Sequence, residues 1–375
     1  MCYNNFVQVK SLNLLNFRNY KNLKIDFDEK LNILVGKNAQ GKTNIIEAIF
    51  YCCIGKSFKG TKDKDMIKWN ENNSYIKMDL QKKFRDLKIE VLFSQSTKKS
   101  VKIDGINIHK IGELIGEINV IFFSPDELKL VKESPDERRK FMDIDLSQTH
   151  KKYFYLLNRY EKVLANRNRL LKMTKDINVL KDTIDIWDRA LVEYAEQISL
   201  QRAKFIEDIL PYAQKAHSYI SNGSEVLDIK YKSGTKIDDF ENFKEKMDKL
   251  LKQNLEKDFR LGYTTIGPHR DDLDIFVNDV EVKNFGSQGQ QRTVALSLKL
   301  AELETMKSIK GEYPILLLDD VFSELDSDRK KRLLKFVSRT QTFITCTDLF
   351  NFDCGKIYTI KNGEIENIKN NIWFN

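Results

Sequence analysis

The stretch that decides the fold is Gly36-Lys37-Asn38-Ala39-Gln40-Gly41-Lys42-Thr43, which matches the phosphate-binding pattern GxxxxGK[ST] at every fixed position. An apolar run over 31–35 enters it as a predicted strand, and residues 43–53 leave it as a predicted helix. The glycines let backbone N–H groups curl around a phosphate, and the helix N-terminus adds its positive dipole end. In this pattern the lysine reaches the β- and γ-phosphates and the Thr43 hydroxyl binds Mg²⁺. The loop therefore predicts an ATP and Mg²⁺ site, with Lys42 as a catalytic residue.

A second nucleotide-binding pattern lies far along the chain, where the apolar run 315–318 ends in Asp319 and Asp320. A buried strand with a carboxylate at its C-terminal tip is the Walker B pattern that accompanies a P-loop. We expect Asp319 to hold Mg²⁺, directly or through water. The next carboxylate, Asp320, is the candidate base that polarises the attacking water.

Two further patterns narrow the class of ATPase. Ser287-Gln288-Gly289-Gln290-Gln291 precedes a predicted helix over 292–306 and resembles the ABC signature, and Ser323-Glu324-Leu325-Asp326 follows Walker B at the spacing of a D-loop. In the ABC superclass the signature serves the nucleotide held by the other subunit. Ser287, Gly289 and Gln290 are therefore predicted to bind the γ-phosphate in an ATP-dependent homodimer.

The rest of the chain predicts an α/β fold with two parts. The first 110 residues read mostly as strands, with a hairpin turn at Asp104-Gly105, and another short strand is predicted over 120–123. Long amphipathic helices follow from about 135 to 260, including one over 181–210 that is predicted to stop at Pro211. Strands and helices alternate again after 262, as in a parallel sheet. We expect an ABC-type ATPase head from 1–134 and 261–375, with a mixed or parallel sheet core and an antiparallel β part, and a helical insertion domain over 135–260.

Composition excludes several protein classes. The 375 residues are 41% hydrophobic, which is enough for a packed core, and the five cysteines form no CxxC pattern. The longest apolar runs, such as 315–318, are too short to span a bilayer, and no secretory signal is evident. The sequence therefore predicts a protein of the reducing cytoplasm with no membrane partner.

The net charge of +8 is unevenly distributed. Residues 151–180 hold eight Lys and Arg against only Glu161 and Asp176, and a second basic stretch includes Lys56, Lys59, Lys62, Lys64 and Lys68. Such patches bind phosphate backbones, although a solvated helix face or a protein-docking face has the same composition. Arg167, Arg169 and Lys172 are the candidate DNA contacts.

At this point the chain resembles a known family, the RecF recombination and repair ATPases, which are relatives of the Rad50 and SMC head domains. The resemblance covers nearly the whole length. The segments that carry it are 15–20 (LNFRNY), 123–128 (FSPDEL), 134–143 (SPDERRKFMD), 267–273 (GPHRDDL), 287–293 and 316–326.

This resemblance implies an ATP-operated DNA clamp. Two heads would close on gapped DNA, with single- and double-stranded parts, when ATP binds, and slow hydrolysis would release them. RecR is the implied protein partner, with RecO and the loading of the RecA recombinase acting through it. Arg18 resembles the N-terminal arginine that approaches nucleotide in Rad50-like heads.

Three positions depart from the general ABC pattern or leave their role open. Asp320 stands where most ABC proteins have glutamate, and we expect slow hydrolysis from the shorter side chain. Thr347 aligns with the usual switch histidine, so a histidine sensor of the γ-phosphate is not expected there. His269 lies either near the nucleotide or dimer interface or in a structural hydrogen-bond network.

Three other interpretations of an ABC-type ATPase remain. A transporter ATPase subunit needs far fewer than the 243 residues that separate Thr43 from Ser287, and it normally has a switch histidine. An SMC- or Rad50-like structural protein needs arms of hundreds of residues and a hinge or zinc hook, against an insertion here over 135–260 without CxxC. A non-hydrolysing ATP-binding scaffold is distinguished by a turnover assay.

Overall fold

The computed structural model of the protein describes residues 7–237, 240–347 and 355–371. The chain forms two compact units, one from Met1–Glu127 with Glu302–Asn375 and the other from Leu128–Ala301. The segment 135–260, predicted as a helical insertion, lies within the second unit. Its assignment as a separate functional domain stays a prediction.

The secondary structure of the described residues alternates between short strands and long helices. In chain order the strands are β1 (Gln8–Phe17), β2 (Tyr20–Asp26), β3 (Leu31–Val35), β4 (Asn73–Gln81), β5 (Asp86–Ser94), β6 (Ser100–Ile103), β7 (Ile106–Asn107), β8 (Val120–Phe123), β9 (Leu227–Lys232), β10 (Asp272–Val277), β11 (Val280–Glu281), β12 (Ile315–Asp319), β13 (Thr342–Cys346), β14 (Gly355–Lys361) and β15 (Glu364–Asn371). The helices are α1 (Lys42–Ile54), α2 (Lys129–Lys132), α3 (Pro135–Thr149), α4 (Lys151–Met173), α5 (Ile177–Ser221), α6 (Phe243–Leu261), α7 (Val282–Phe285), α8 (Gln288–Lys310) and α9 (Ser327–Val337).

One sheet of the first unit is antiparallel, in the order β2-β1-β4-β5-β6-β7. Its strands alternate buried and exposed residues, as in β4 and β5, because one face packs on the core and the other meets solvent. The predicted turn between β6 and β7 is confirmed: Asp104 and Gly105 have φ of 50° and 81°. Two successive left-handed residues give the tight turn that suits the twist of a hairpin.

The other sheet of the first unit is mixed, in the order β15-β14-β3-β13-β12-β8. Neighbouring strands from β14 to β8 are parallel, and only the edge strand β15 runs antiparallel to its neighbour. The residues of β3 are buried throughout, as expected for a strand covered on both faces. The carboxyl ends of β3, β13 and β12 therefore meet at one edge, where Asp319 is paired with Thr345 in the strand register.

Helix α1 occupies the core of this unit and contacts strands of both sheets. Eleven of its thirteen residues are buried, including Ile45, Ile46 and Ile49. Gly55 ends the helix in a left-handed conformation and donates its N–H to the Tyr51 carbonyl. The helix and its strand β3 hold the loop between them on a rigid base.

The second unit is built on the helices α4, α5 and α6 and the small sheet β11-β10-β9. The prediction that Pro211 ends a helix is wrong, because α5 continues from Ile177 to Ser221 with the proline inside it. Proline removes one N–H and frees the carbonyl four residues earlier, at Glu207. Pro211 and Glu207 are both exposed, so water can satisfy that carbonyl while the apolar face continues past it.

Within the described residues, no helix combines the length and the apolar character needed to cross a membrane. Cys52, Cys53 and Cys346 are buried free thiols. Burial raises the pKa of both Cys52 and Cys53, so they are protonated and unreactive. Cys2 and Cys354 lie outside the described residues.

Candidate nucleotide-binding site

The loop 36–43 joins β3 to α1 and contains two residues with positive φ. Ala39 and Gly41 have φ of 63° and 114°. A Cβ at Gly41 would lie 2.7 Å from the Asn19 amide and 2.8 Å from the Tyr20 hydroxyl, and a Cβ at Gly36 would collide with the Ile360 carbonyl. Both glycines are therefore required by close approach, and the exposed Lys37-Asn38-Ala39 segment forms the outer rim of the loop.

Lys42 lies inside the curve of the loop and is only 7% exposed. Its ammonium donates to the carbonyls of Gly36 and Lys37, the latter at 2.9 Å. Burial lowers the pKa of Lys42 from its usual value, and the nearby Asp320 and Asp319 carboxylates oppose that shift. A lysine held in this position can donate to an anion bound in the loop.

The predicted magnesium ligands are brought together. The Thr43 hydroxyl donates to Asp319 Oδ1 at 2.9 Å, although 276 residues separate the two. A hydroxyl and a carboxylate converging on one point are the hard oxygen ligands that Mg²⁺ prefers. The residues present therefore fit this ion.

Thr345 completes this group and was missed in the sequence. Its hydroxyl donates to the same Asp319 oxygen at 2.6 Å, and it accepts the Asp320 N–H at 3.0 Å. Thr347, which matches the position of the usual switch histidine, lies two residues further on and is half-buried, and Asp348 lies outside the described residues. Thr345 is the register partner of Asp319 on the adjacent parallel strand, whereas β13 ends at Cys346, before Thr347.

Asp320 follows β12 in a left-handed conformation, with φ of 55° and ψ of 22°. Few residues other than glycine tolerate this region, and aspartate is among those enriched there. The Asp320 N–H also donates to the Thr345 carbonyl at 3.2 Å, and the Asp320 carbonyl accepts from the Ser323 hydroxyl at 2.6 Å, so three hydrogen bonds hold this backbone in place. This geometry gives a physical reason for aspartate at this position.

The hairpin between β1 and β2 braces the loop through Asn19 and Tyr20, neither of which was predicted as a site residue. The Asn19 amide donates to the Gln40 carbonyl at 3.0 Å, and the Tyr20 hydroxyl donates to the Gly41 carbonyl at 3.1 Å. Lys68 in turn donates to the Asn19 carbonyl at 2.8 Å. The signal was present in the segment LNFRNY, whose last two residues make these contacts.

The turn between β14 and β15 grips the loop from another direction. The Asn362 N–H donates to Gln40 Oε1 at 2.6 Å, and the Gly363 N–H donates to the Gln40 carbonyl at 3.1 Å. The side chain of Gln40 is thus bound to this turn. Two separate hairpins fix the backbone that a phosphate would contact.

Arg18 lies at the turn of the first hairpin and points to α1. Its guanidinium forks onto the Glu47 carboxylate at 2.7 and 3.0 Å and also donates to Thr61 and to the Asp65 carbonyl. Burial would raise the pKa of Glu47, but Arg18, Ser57 and Lys59 together hold it below its usual value. The arginine therefore ties the hairpin to the helix that follows the loop, and its contact with nucleotide stays a prediction.

The signature segment begins α8. The Ser287 N–H donates to Gln290 Oε1 at 2.9 Å, and the Gln290 N–H donates to the Ser287 hydroxyl at 3.2 Å. This reciprocal pair is a capping box at a helix N-terminus. Ser287 is exposed, and Gly289 lies half-buried in the first turn. An exposed serine at the positive end of a helix is suited to bind an anion from outside.

One predicted DNA contact is corrected. Arg167 is fully buried, and its guanidinium pairs with Asp188 at 2.6 Å and Asp258 at 2.7 Å and donates to Thr264 at 2.9 Å. It cannot reach DNA because it joins α4 to α5 and α6. Arg169 and Lys172 are exposed.

Some lysines of the second basic stretch make contacts within the protein. Lys59 pairs with the buried Glu47 at 3.3 Å, and Lys68 is bound to the hairpin at Asn19. Lys62 and Lys64 remain exposed. Part of this charge therefore serves the packing around α1.

His269 belongs to a structural network. Its Nε2 lies 2.9 Å from the Thr264 carbonyl, and its Nδ1 lies 2.6 Å from the Tyr160 hydroxyl. Since a carbonyl only accepts, the proton sits on Nε2 and Nδ1 accepts from the tyrosine. Burial lowers the pKa of His269 to about 4, so the ring is neutral near pH 7. These contacts favour the interpretation of His269 as a member of a structural hydrogen-bond network.

Comparisons with known proteins agree with this arrangement. The family described as "RecF/RecN/SMC N terminal domain" matches residues 8–353. The "DNA replication and repair protein RecF" of Clostridium perfringens (strain SM101 / Type A) is 47% identical over 96% of this chain and 99% of its own length. The protein with the same description from Clostridium botulinum (strain Alaska E43 / Type E3) is 45% identical over 96% and 99%.

Solved structures give the same result. The structure titled "recombination mediator protein RecF-ATPrS in RecFOR pathway" superposes with a TM-score of 0.89 at 35% identity, covering 97% of this chain and 99% of that one. An Smc head domain from Pyrococcus furiosus, at 17% identity and a TM-score of 0.58 with 97% of each chain covered, shares the fold. The protein thus has an α/β ABC-type ATPase head fold, and the chain belongs to the RecF family of DNA replication and repair proteins.

Proposed function

We propose that this protein is an ATP-dependent DNA-binding protein of recombinational repair and replication. The observation that carries the ATP site is the contact between Thr43 and Asp319, next to the buried Lys42 ammonium. Two oxygen ligands and a cation converge on one edge of the sheet, as binding of a nucleotide triphosphate with Mg²⁺ requires. Related RecF structures are titled as complexes with ATP and ATPrS, which supports the same ligand here.

Each residue of the site has a distinct role in this proposal. Lys42 and the loop N–H groups bind the β- and γ-phosphates, while Thr43 and Asp319 supply oxygen ligands for Mg²⁺, which neutralises phosphate charge when bound. Asp320 accepts a proton from the attacking water. Hydrolysis is slow, because the short Asp320 side chain holds this water less closely than glutamate would.

ATP binding drives closure of a homodimer. In the closed dimer, Ser287 of each subunit contacts the γ-phosphate held by the other, and the α8 N-terminus adds its positive dipole end. Closure brings two DNA-binding surfaces together, and loss of the γ-phosphate releases them. ATP shifts this equilibrium only through contacts made in the closed state. The role within the pathway is to support RecA loading at DNA gaps, with RecR and RecO as partners.

The test is the mass of the protein in solution with and without ATP, measured by sedimentation. We expect a monomer without nucleotide, a dimer with ATP, and a slow return to monomer as ATP is consumed. Lys42→Ala should remain a monomer and fail to bind ATP, since its buried cation is lost. Lys42→Arg is the control: it keeps the charge, so it should retain some binding, but its planar group fits the curve of the loop poorly and turnover should fail.

Three outcomes would count against the proposal. Full ATP hydrolysis by Lys42→Ala would rule out the loop as the site. ATP binding with no change in mass would rule out the dimer switch. ATP binding without any turnover, with and without DNA, would identify a non-hydrolysing scaffold.

A further inference from the structure

Helix α4 carries a line of cations along its outer face. At about 100° per residue, Lys151, Lys162 and Arg169 fall within roughly 20° of one another on the helix, and Arg159 and Lys152 lie to one side of them. All five are exposed. We call these five residues the basic stripe.

The opposite face of α4 is buried and anchors the helix. Tyr153, Tyr160 and Arg167 recur every seven residues and are each at most 2% exposed. The Tyr153 hydroxyl donates to Asp143, Tyr160 to His269, and Arg167 pairs with two buried aspartates. The basic stripe is therefore displayed on a helix that cannot rotate without breaking this network.

The neighbouring helices have a different charge pattern. On α5, Lys204 pairs with Asp208 one turn later, and on α6, Lys252 pairs with Asp248. Their exposed faces thus mix both signs, as solvated helices commonly do. The only acidic residue of α4 is Glu161, which lies about 80° around the helix from Lys151 and outside the basic stripe.

The spacing of the stripe suits a polyanion. Lys151 to Lys162 and Lys162 to Arg169 correspond to roughly 16 Å and 10 Å along the helix, so the stripe covers about 27 Å. Binding to single strands uses aromatic side chains on which bases stack. Tyr155, 38% exposed, is the one aromatic side chain exposed on this face of α4, which is described throughout. The chemistry therefore favours a duplex backbone over unstacked bases.

We propose that the basic stripe of α4 binds the phosphate backbone of duplex DNA. This inference rests on the proposed function and assigns its DNA contact to a surface. Each phosphate neutralised by the stripe releases counterions, so the stripe contributes about −0.9 per contact to the slope of log affinity against log salt. It reads no bases, so binding through it is independent of sequence.

The experiment measures binding of a fluorescent 30-base-pair duplex and a 30-nucleotide single strand by anisotropy, with a slowly hydrolysed ATP analogue, over a salt series. The test variant replaces Lys151, Lys162 and Arg169 with Gln. The matched control replaces Arg189, Lys204 and Lys215 with Gln, which removes the same charges from the exposed face of α5. Retained ATP affinity and retained dimer formation verify that each variant is folded.

For the duplex, we expect the slope to become shallower by about 2.7 in the test variant, if each of the three cations contacts one phosphate, and to change little in the control. Lys162→Glu alone should weaken duplex binding further than Lys162→Gln, because it adds repulsion. If the unaltered protein binds the duplex and the slope of the test variant is unchanged, the basic stripe is not the DNA contact. That result would not contradict the proposed function. A loss confined to the single strand would also overturn the stripe. Absence of DNA binding by the unaltered protein would overturn the proposed function and the stripe together.

Discussion

Thr345 and Asp319 lie side by side on adjacent parallel strands, and the Thr345 hydroxyl donates a 2.6 Å hydrogen bond to the carboxylate oxygen that Thr43 also contacts. The same hydroxyl accepts the N–H of Asp320. Thr345 therefore orients both Asp319 and Asp320. Hydrogen-bond partners that orient a metal ligand typically change metal affinity by about 10- to 100-fold when they are removed.

Thr345→Val should lower the affinity for Mg²⁺ in the ATP complex by about 10- to 100-fold, because Asp319 loses a hydrogen bond that orients it. More Mg²⁺ should then be needed to reach full ATP binding. The measurement is ATP affinity across a Mg²⁺ titration. Thr345→Ser is the control, since it keeps the hydroxyl and should behave like the unaltered protein. Equal Mg²⁺ dependence in the valine and serine variants would show that this hydrogen bond does not orient the ligand.

Asp320→Asn should keep ATP and Mg²⁺ binding and slow hydrolysis by roughly 100-fold or more, because an amide cannot accept the proton from water. Asparagine tolerates the left-handed conformation at this position, so the backbone should be preserved. The ATP-bound dimer should accumulate, as measured by single-turnover hydrolysis and sedimentation. If nucleotide binding is lost instead, Asp320 is a metal ligand and not the base.

Ser287→Arg should leave ATP binding by the monomer intact and block the dimer, because the bulky cation would collide with the nucleotide of the partner. It also removes the serine from the capping box, at a cost of about 1 kcal/mol of stability. Ser287→Thr keeps a capping hydroxyl and serves as the control. The measurement is sedimentation in the presence of ATP. A normal dimer in the arginine variant would show that the signature segment does not lie at the dimer interface.

The free energy of unfolding should fall as the solution is acidified from pH 6.5 to 4. His269 is one cause of this fall. The pKa of His269 is lowered to about 4 in the folded protein, against 6.5 for an ordinary histidine, so the unfolded chain binds more protons within this window. The free energy of unfolding therefore rises with pH there, by about 1.4 kcal/mol per pH unit from this group.

His269→Gln should remove that component, which is measured as the difference between urea unfolding curves at several pH values. His109→Gln is the control, because His109 is exposed. A difference between the unaltered protein and His269→Gln that stays constant from pH 4 to 6.5 would contradict the assignment.

Much of the fold and half of the site could be predicted from the sequence. The strands Leu31–Val35 and Val120–Phe123 match their predictions, and the helix after the loop differs by one residue at each end. These patterns are local: a phosphate loop or a buried strand is encoded in consecutive residues. Thr345 and Asn362 could not be found this way, because they approach the site only through tertiary folding and no pattern in consecutive residues marks them.

Arg167 shows a different kind of failure, because its signal was available. It follows Tyr160 by seven residues, which is the spacing of the buried side of α4. Charges over 151–180 were counted without regard to the helix face. Arg167 was therefore grouped with Arg169, which is two residues away and exposed. Pro211 failed for a related reason, since its effect on a helix depends on which side faces water.

The length of α5 has a mechanical consequence. The helix has 45 residues and spans roughly 68 Å, and near its C-terminal end the buried His217 contacts Ser297 of the helix that begins at the signature. A displacement of the C-terminal end of α5 would therefore act directly on α8, the helix whose first turn holds Gly289 and Gln290.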